Sequence, residues 1–241
     1  MNADWISPEQ KSLFRKKAIE EQNDAPLSLE YNGTGKVAER IRRIDDYRNS
    51  KNILVSLHPS LRQTCLNVLA DQKKLLIPTP GLQKGFMLVS PTSVPPQKRK
   101  LAIRPIPNNP FGRKMPYEEP FQGLVDLIIT EAFLLGRDGT RMGDGSGHLD
   151  IQCAILSSLG WLSPDVRVLA VADDRQIVPS VPVEKTDVRI HWIVTPTQVL
   201  AASHDEPFSC EISWEKLSKK QIRRNEALYF LNRRRLISLP H

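Results

Sequence analysis

Five short apolar runs constrain this chain most: NILVSL (52–57), KKLLIPTP (73–80), VDLIIT (125–130), VRVLAVA (166–172) and VRIHWIV (188–194). VDLIIT is apolar almost without alternation, the pattern of a strand covered on both faces. The segments between the runs have helical character. Val37, Ile41, Ile44 and Tyr47 recur at i, i+4, i+7 and i+10 across residues 35–49. Leu61 to Leu69 follows a Pro59-Ser60 start, and DIQCAILSSLG (150–160) stops at Gly160. Strands that alternate with helices make an α/β sheet with helices on both sides. The expected fold is therefore a three-layer αβα domain with a mostly parallel sheet.

Two further stretches have a distinct character. Residues 1–24 read as a polar helix, with Ser7 as N-cap and Pro8 at the first helical position. Eight of the 19 prolines fall within residues 91–120. That density opposes both helix and central strand. The segment reads as a long irregular connection carrying one short strand, LAIRPI (101–106).

At 241 residues the chain can bury one large core or two small ones. No run approaches the roughly 18 apolar residues of a membrane span. The opening MNADWISPEQKSLFRKK has no apolar signal core, so export is not expected. Cys65, Cys153 and Cys210 are an odd, widely spaced set. That set fits a reduced, cytoplasmic protein and argues against zinc. The net charge of +7 and pI near 9.4 favour anionic partners. Much of the excess lies in KVAERIRR and in the C-terminal KLSKKQIRRNEALYFLNRRR. A basic helix face is most often only solvated, and RNA binding is the alternative.

RDGTRMGDGSGHLD (137–150) places glycine at 139, 143, 145 and 147, between a strand and a helix. Such a turn presents backbone N–H groups and a helix N-terminus to an anion. Arg141 adds a forked cation suited to phosphate, and Asp150 can hold Mg²⁺. The plainer reading is a flexible hairpin with a coincidental acid. No G-K-[ST] follows, and the spacing is not G-x-G-x-x-G.

VDLIITEAFLLGRDGTRMGDGSGHLD resembles the 5-formyltetrahydrofolate cyclo-ligases, whose signature is a DLIIVP strand, a spacer and R-[LM]-G-x-G-x-G-Y-Y-D. Lys11 to Arg15 is similar to that family's K-x-x-[LF]-R. Gln176, Pro182, Glu184 and Asp187 with VRIHWIVTP are similar to its closing motif. KKLLIPTPGLQKGFM, IHWIVTPTQVL and ISWEKLSKKQIRR resemble the branch of methenyltetrahydrofolate synthetase domain-containing proteins. The resemblance implies a cyclo-ligase-like domain over residues 1–200, of the CoA-transferase-like fold type, with a basic extension over 201–241.

It also implies a chemistry. Family members use Mg·ATP to phosphorylate the formyl oxygen of 5-formyltetrahydrofolate. N10 then attacks the activated carbon, phosphate leaves, and 5,10-methenyltetrahydrofolate forms. Carried over by position, ATP would meet Lys11, Arg15, Arg141, Gly143, Asp144, Gly145, Ser146, Gly147, His148 and Leu149, with Arg141 catalytic. Asp150 and Asp187 would hold Mg²⁺. Leu57, Arg62 and His148 would touch the folate. Each has a plain alternative: solvated charges for Lys11 and Arg15, an N-cap for Asp150, a turn residue for Asp187. A lone histidine is more often structural, so neither His58 nor His148 is given a catalytic role.

The departures fall on the folate half. A folate-contacting glutamate of the family is replaced by Arg62, its paired tyrosines by His148 and Leu149, and Asp144 faces the phosphates. A guanidinium donates only, so it opposes the pterin's own donors. Weak or absent turnover of 5-formyltetrahydrofolate with ATP binding retained is expected. Two other readings stand beside it: phosphoryl transfer to another carbonyl or amide substrate, and non-catalytic nucleotide or RNA binding.

Overall fold

The structure is a computed structural model that describes residues 7–20, 31–106, 108–119, 121, 123–145, 147–184, 186–204 and 208–238. Ser146, and residues 1–6 and 21–24 of the expected first helix, lie outside the described residues. The helices are α1 (Pro8–Glu20), α2 (Tyr31–Ile41), α3 (Asp45–Asn49), α4 (Arg62–Ala70), α5 (Arg99–Ala102), α6 (His148–Ser158), α7 (Lys219–Arg224) and α8 (Glu226–Ser238). The strands are β1 (Asn52–Val55), β2 (Lys74–Pro78), β3 (Phe86–Val89), β4 (Gly112–Lys114), β5 (Val125–Glu131) and β6 (Leu134–Gly136). They continue with β7 (Arg141–Met142), β8 (Leu162–Val171), β9 (Ile177–Val178), β10 (Trp192–Val194) and β11 (Val199–Ala201).

The apolar runs pair edge to edge. Among the described residues, one sheet has the order β11-β10-β8-β5-β1-β2-β3-β4. Its middle, from β10 to β2, is parallel: Ile53 lies opposite Leu75 on one side and Leu127 on the other. The flanking β11, β3 and β4 run antiparallel to their neighbours.

Successive side chains of a strand point to opposite faces, and both faces here are buried. Leu54, Ile128, Val168, Ala170 and Ile193 belong to one core with Trp161, Leu156 of α6 and Leu228 of α8. Ile53, Val55, Leu127, Ile129, Leu169 and Val194 belong to the other, with Val37 and Ile41 of α2 and Val68 and Leu69 of α4. Each large apolar side chain so buried contributes about 1.5–3 kcal/mol. Two cores on one sheet make three layers, an α/β fold with a large, mostly parallel sheet.

The structure corrects three expectations. LAIRPI is not a strand: Leu101 and Ala102 close α5, and Ile103 to Ile106 are irregular. Pro105 lacks an N–H for a ladder, and the Asn109 amide binds the carbonyls of Ala102 and Arg104 instead (2.7 and 2.8 Å). VRIHWIV is strand only from Trp192, because the N–H of Val188 donates to Asp150 Oδ1 and that of Ile190 to the Gly139 carbonyl (3.0 and 2.9 Å). The third concerns α6, which begins at His148 with Gly147 as N-cap, so Asp150 lies inside the first turn and is not a cap. Among the described residues, no helix is long and apolar enough to cross a membrane.

Candidate active site

The parallel strands end together, and ligands of open α/β sheets gather at such carboxyl ends. Ser56 follows β1, Pro78 closes β2, and Thr130 and Glu131 close β5. All four line one cavity of about 270 Å³. Above them, β6 pairs antiparallel with β7 and parallel with β9 in a small second sheet. This sheet delivers Arg141 and the loop of residues 143–147 to the cavity mouth, and α6 starts directly from that loop. Gly145 (φ +94°) and Gly147 (φ +65°) adopt left-handed conformations that other residues rarely take.

α1 forms the facing wall. Arg15 Nε donates to the Gly143 carbonyl (2.9 Å), and Lys11 is ion-paired with Asp187. Arg141 donates to Asp150 Oδ2 (2.9 Å), and Asp187 Oδ2 also accepts the N–H of Glu184 (2.7 Å). Two of the three cations expected on phosphate, Lys11 and Arg141, are thus paired with the carboxylates expected on metal. Charges this deep, with Lys11 and Arg141 each only 6% exposed, need such compensation. Burial works against the Arg141 charge, but Asp150, then Asp187 and Glu131, outweigh it and hold its pKa above the ordinary value. Burial pushes the Asp187 carboxyl up, a shift that Lys11 and the Glu184 N–H only partly oppose.

Among the described residues there is no group of three or more His, Cys, Asp or Glu able to cage a metal. Mg²⁺ is commonly held by one or two carboxylates plus substrate phosphates. Asp150 and Asp187 act on each other electrostatically across this cavity. They fit that ion as part of a metal–phosphate complex rather than as a preformed cage.

Of the residues singled out in the sequence, Lys11, Arg15, Leu57, Arg141, Gly143, Asp144, Gly145, Gly147, His148, Leu149, Asp150 and Asp187 share this cavity. Arg62 does not. It is the exposed first residue of α4 and lines an adjoining groove with Lys100 and Arg104. His58 Nδ1 is occupied by Ser60 Oγ (2.7 Å), a local cap. Among the cavity residues not anticipated are Ser56, Glu131 and Gln152. Ser56 Oγ, Glu131 Oε2 and Gln152 Oε1 are sealed from solvent without a hydrogen-bond partner among the described residues. The one available signal was Glu131 itself, a carboxylate closing an otherwise apolar central run.

The basic C-terminal stretch forms α7 and α8. Ala227, Leu228 and Leu231 are buried in the core that covers α6. The Arg234 and Arg235 guanidinium groups lie over the rings of Phe230 and Trp214, at 5.7 and 4.7 Å.

Comparison with known proteins agrees with this fold. The chain is 29% identical over 209 residues to the human methenyltetrahydrofolate synthase domain-containing protein, covering 85% of this chain and 54% of that one. It is also 29% identical over 80 residues to a 5-formyltetrahydrofolate cyclo-ligase of Mycolicibacterium smegmatis, covering 33% of this chain and 38% of that protein. The chain spans about half the length of the domain-containing relatives it matches. In fold it is similar to the Aquifex aeolicus 5,10-methenyltetrahydrofolate synthetase, with a TM-score of 0.54 at 19% identity, covering 86% of this chain and 99% of that one. The family model of the 5-formyltetrahydrofolate cyclo-ligases matches residues 7–196, nearly the whole of the sheet and the cavity, and the chain belongs to that family.

Proposed function

We propose that this chain converts 5-formyltetrahydrofolate to 5,10-methenyltetrahydrofolate with the consumption of ATP. One observation carries the reading. A single cavity places buried cations and a glycine loop on one side and unpartnered acceptors at the sheet's carboxyl ends. Lys11, Arg15 and Arg141 with the loop backbone would hold the triphosphate, and the α6 N-terminus favours negative charge there. Asp150 and Asp187 would hold Mg²⁺, which neutralises phosphate charge when bound. Phosphoryl transfer to the formyl oxygen needs alignment and charge neutralisation more than a protein nucleophile. Arg141 fits the charge-stabilising role, because the Asp150 pair fixes its guanidinium.

The expectation of weak folate turnover rested on Arg62, and on His148 and Leu149 in place of the family's paired tyrosines, both of which line the cavity. Arg62 is exposed and lines an adjoining groove that shares Ser56, Leu57 and His58 with the cavity; solvent can pair its donors there, which weakens the argument against turnover. The test is a spectrophotometric assay with 5-formyltetrahydrofolate and Mg·ATP. Methenyl product that requires both substrates is the expected result. ATP binding without product would overturn the folate reading and favour another carbonyl or amide acceptor.

A further inference from the structure

The end of β5 departs from its family at one chemically important place. Asp126 to Ile129 match the D-L-I-I of the strand motif, but Glu131 stands where the motif closes with proline. Proline has no side-chain polar group, whereas Glu131 brings a carboxylate to the carboxyl end of a central strand. That end lies between two neighbours: Glu131 is in register with Val171 of β8, and Ser56 donates its N–H to the Ile129 carbonyl on the other side (2.9 Å). Glu131 Oε2 has no hydrogen-bond partner among the described residues, although it is close enough to Arg141, whose Nε is likewise unpartnered, to act on its charge. Gln152, 5% exposed, leaves Oε1 equally unpartnered, and Ser56, 8% exposed, leaves Oγ so.

Unpaired buried acceptors are costly and uncommon in native proteins. Here three line one cavity. A carboxylate oxygen and an amide oxygen accept only, and a hydroxyl does either. A ligand that satisfies Glu131 and Gln152 must present N–H or O–H donors to them. The exocyclic amino group and neighbouring ring N–H of a 2-aminopyrimidinone, the terminal edge of a pterin, have that pattern.

We infer that Glu131, with Gln152, reads the amino and ring N–H edge of the substrate's heterocycle and sets the specificity of this cavity. The inference rests on the folate reading of the same cavity. It moves the donor-reading carboxylate from the segment after β1, where Arg62 now stands, to the end of β5. A Glu131 that only balanced the charge of Arg141 would affect stability and nucleotide affinity, and would be blind to the ligand's amino group.

Calorimetric titration of the full chain separates these roles. The probes are 5-formyltetrahydrofolate, its 2-desamino analogue, unsubstituted pterin and Mg·ATP. Glu131→Gln keeps the side-chain shape, and Gln152→Leu gives a second arm of similar size. Each variant should bind 5-formyltetrahydrofolate and pterin about tenfold or more weakly, as for loss of a charge-assisted or buried hydrogen bond. Affinity for the desamino analogue and for Mg·ATP should stay within about twofold, inside the range of indirect effects. Equal affinity of the unaltered chain for the amino and desamino ligands would overturn the inference, as would unchanged folate binding by both variants. If the unaltered chain ignores 5-formyltetrahydrofolate but binds pterin in a Glu131-dependent way, the folate reading falls and this inference stands. If it binds neither, both fall.

Discussion

Arg141 is held by Asp150 and Lys11 by Asp187, so a nucleotide must recruit two cations without stranding their carboxylates. Replacing Arg141 with Ala removes a charged partner and should weaken Mg·ATP binding by about 1.5–3 kcal/mol. Calorimetry reads this directly, and unchanged affinity would count against Arg141 as a phosphate ligand. Gly145 makes a second test. A Cβ there would meet the Arg15 guanidinium at 2.9 Å, in a backbone conformation with φ +94°. Gly145→Ala should cost about 1–2 kcal/mol of stability, measured by denaturant unfolding, and should loosen the loop's hold on nucleotide. The sequence showed the polar half of the cavity because its residues sit in spaced motifs. Gln152 and Ser56 were invisible and Glu131 nearly so, since what distinguishes them is burial without a partner, a property of the assembled sheet and α6. Arg62 lies in the adjoining groove rather than the cavity itself, because alignment to a family position does not say which way the first turn of α4 faces.

At the level of elements, the parallel middle of the sheet was legible because strands buried on both faces must be apolar throughout. The antiparallel additions were not. Phe86–Val89 follows β2 through a tight return at Gly85 (φ +70°), where a Cβ would strike the Tyr117 hydroxyl at 2.0 Å. Gly112–Lys114 hides in proline-rich sequence. Trp161, fully buried against Phe86, Tyr117 and Phe121, ties these additions to the core. Trp161→Ala should cost about 3–5 kcal/mol in denaturant unfolding. His191 joins β8 to the approach of β10: its N–H donates to the Val168 carbonyl and its Nδ1 accepts the Val168 N–H (2.8 and 3.0 Å). Burial, then the nearby His204 and Arg167, lowers its pKa from 6.5 to about 4. A depressed histidine pKa means that the unfolded chain binds the proton first. Its contribution is therefore full above pH 6.5 and is lost as pH falls towards about 4. Unfolding measured across that window should show stability declining with acid, and His191→Gln should flatten the decline.

For the molecule as a whole, helices on both faces of one sheet leave its carboxyl edge as the open side, and α1 closes part of that side. α1 is attached differently from the other long helices. Ala18 packs on a small cluster with Leu134, Met142 and Val181, whereas Leu13 and Phe14 stand 60% and 38% exposed. Among the described residues it is also tied by Lys11 to Asp187 and by Arg15 to the Gly143 carbonyl, both at the cavity. A helix whose described residues offer so little apolar seam is expected to open at a lower free energy than β5 at the sheet's centre. A nucleotide that engages Lys11 and Arg15 favours the closed arrangement by its differential affinity. Amide exchange should reveal this coupling: Mg·ATP should slow deuterium uptake along residues 8–20 and leave β5 as slow as before. Equal uptake with and without nucleotide would show that the helix closes independently of the ligand. On this account the substrate completes the tertiary structure that encloses it, so the lifetime of the closed site is set by how long the phosphates stay.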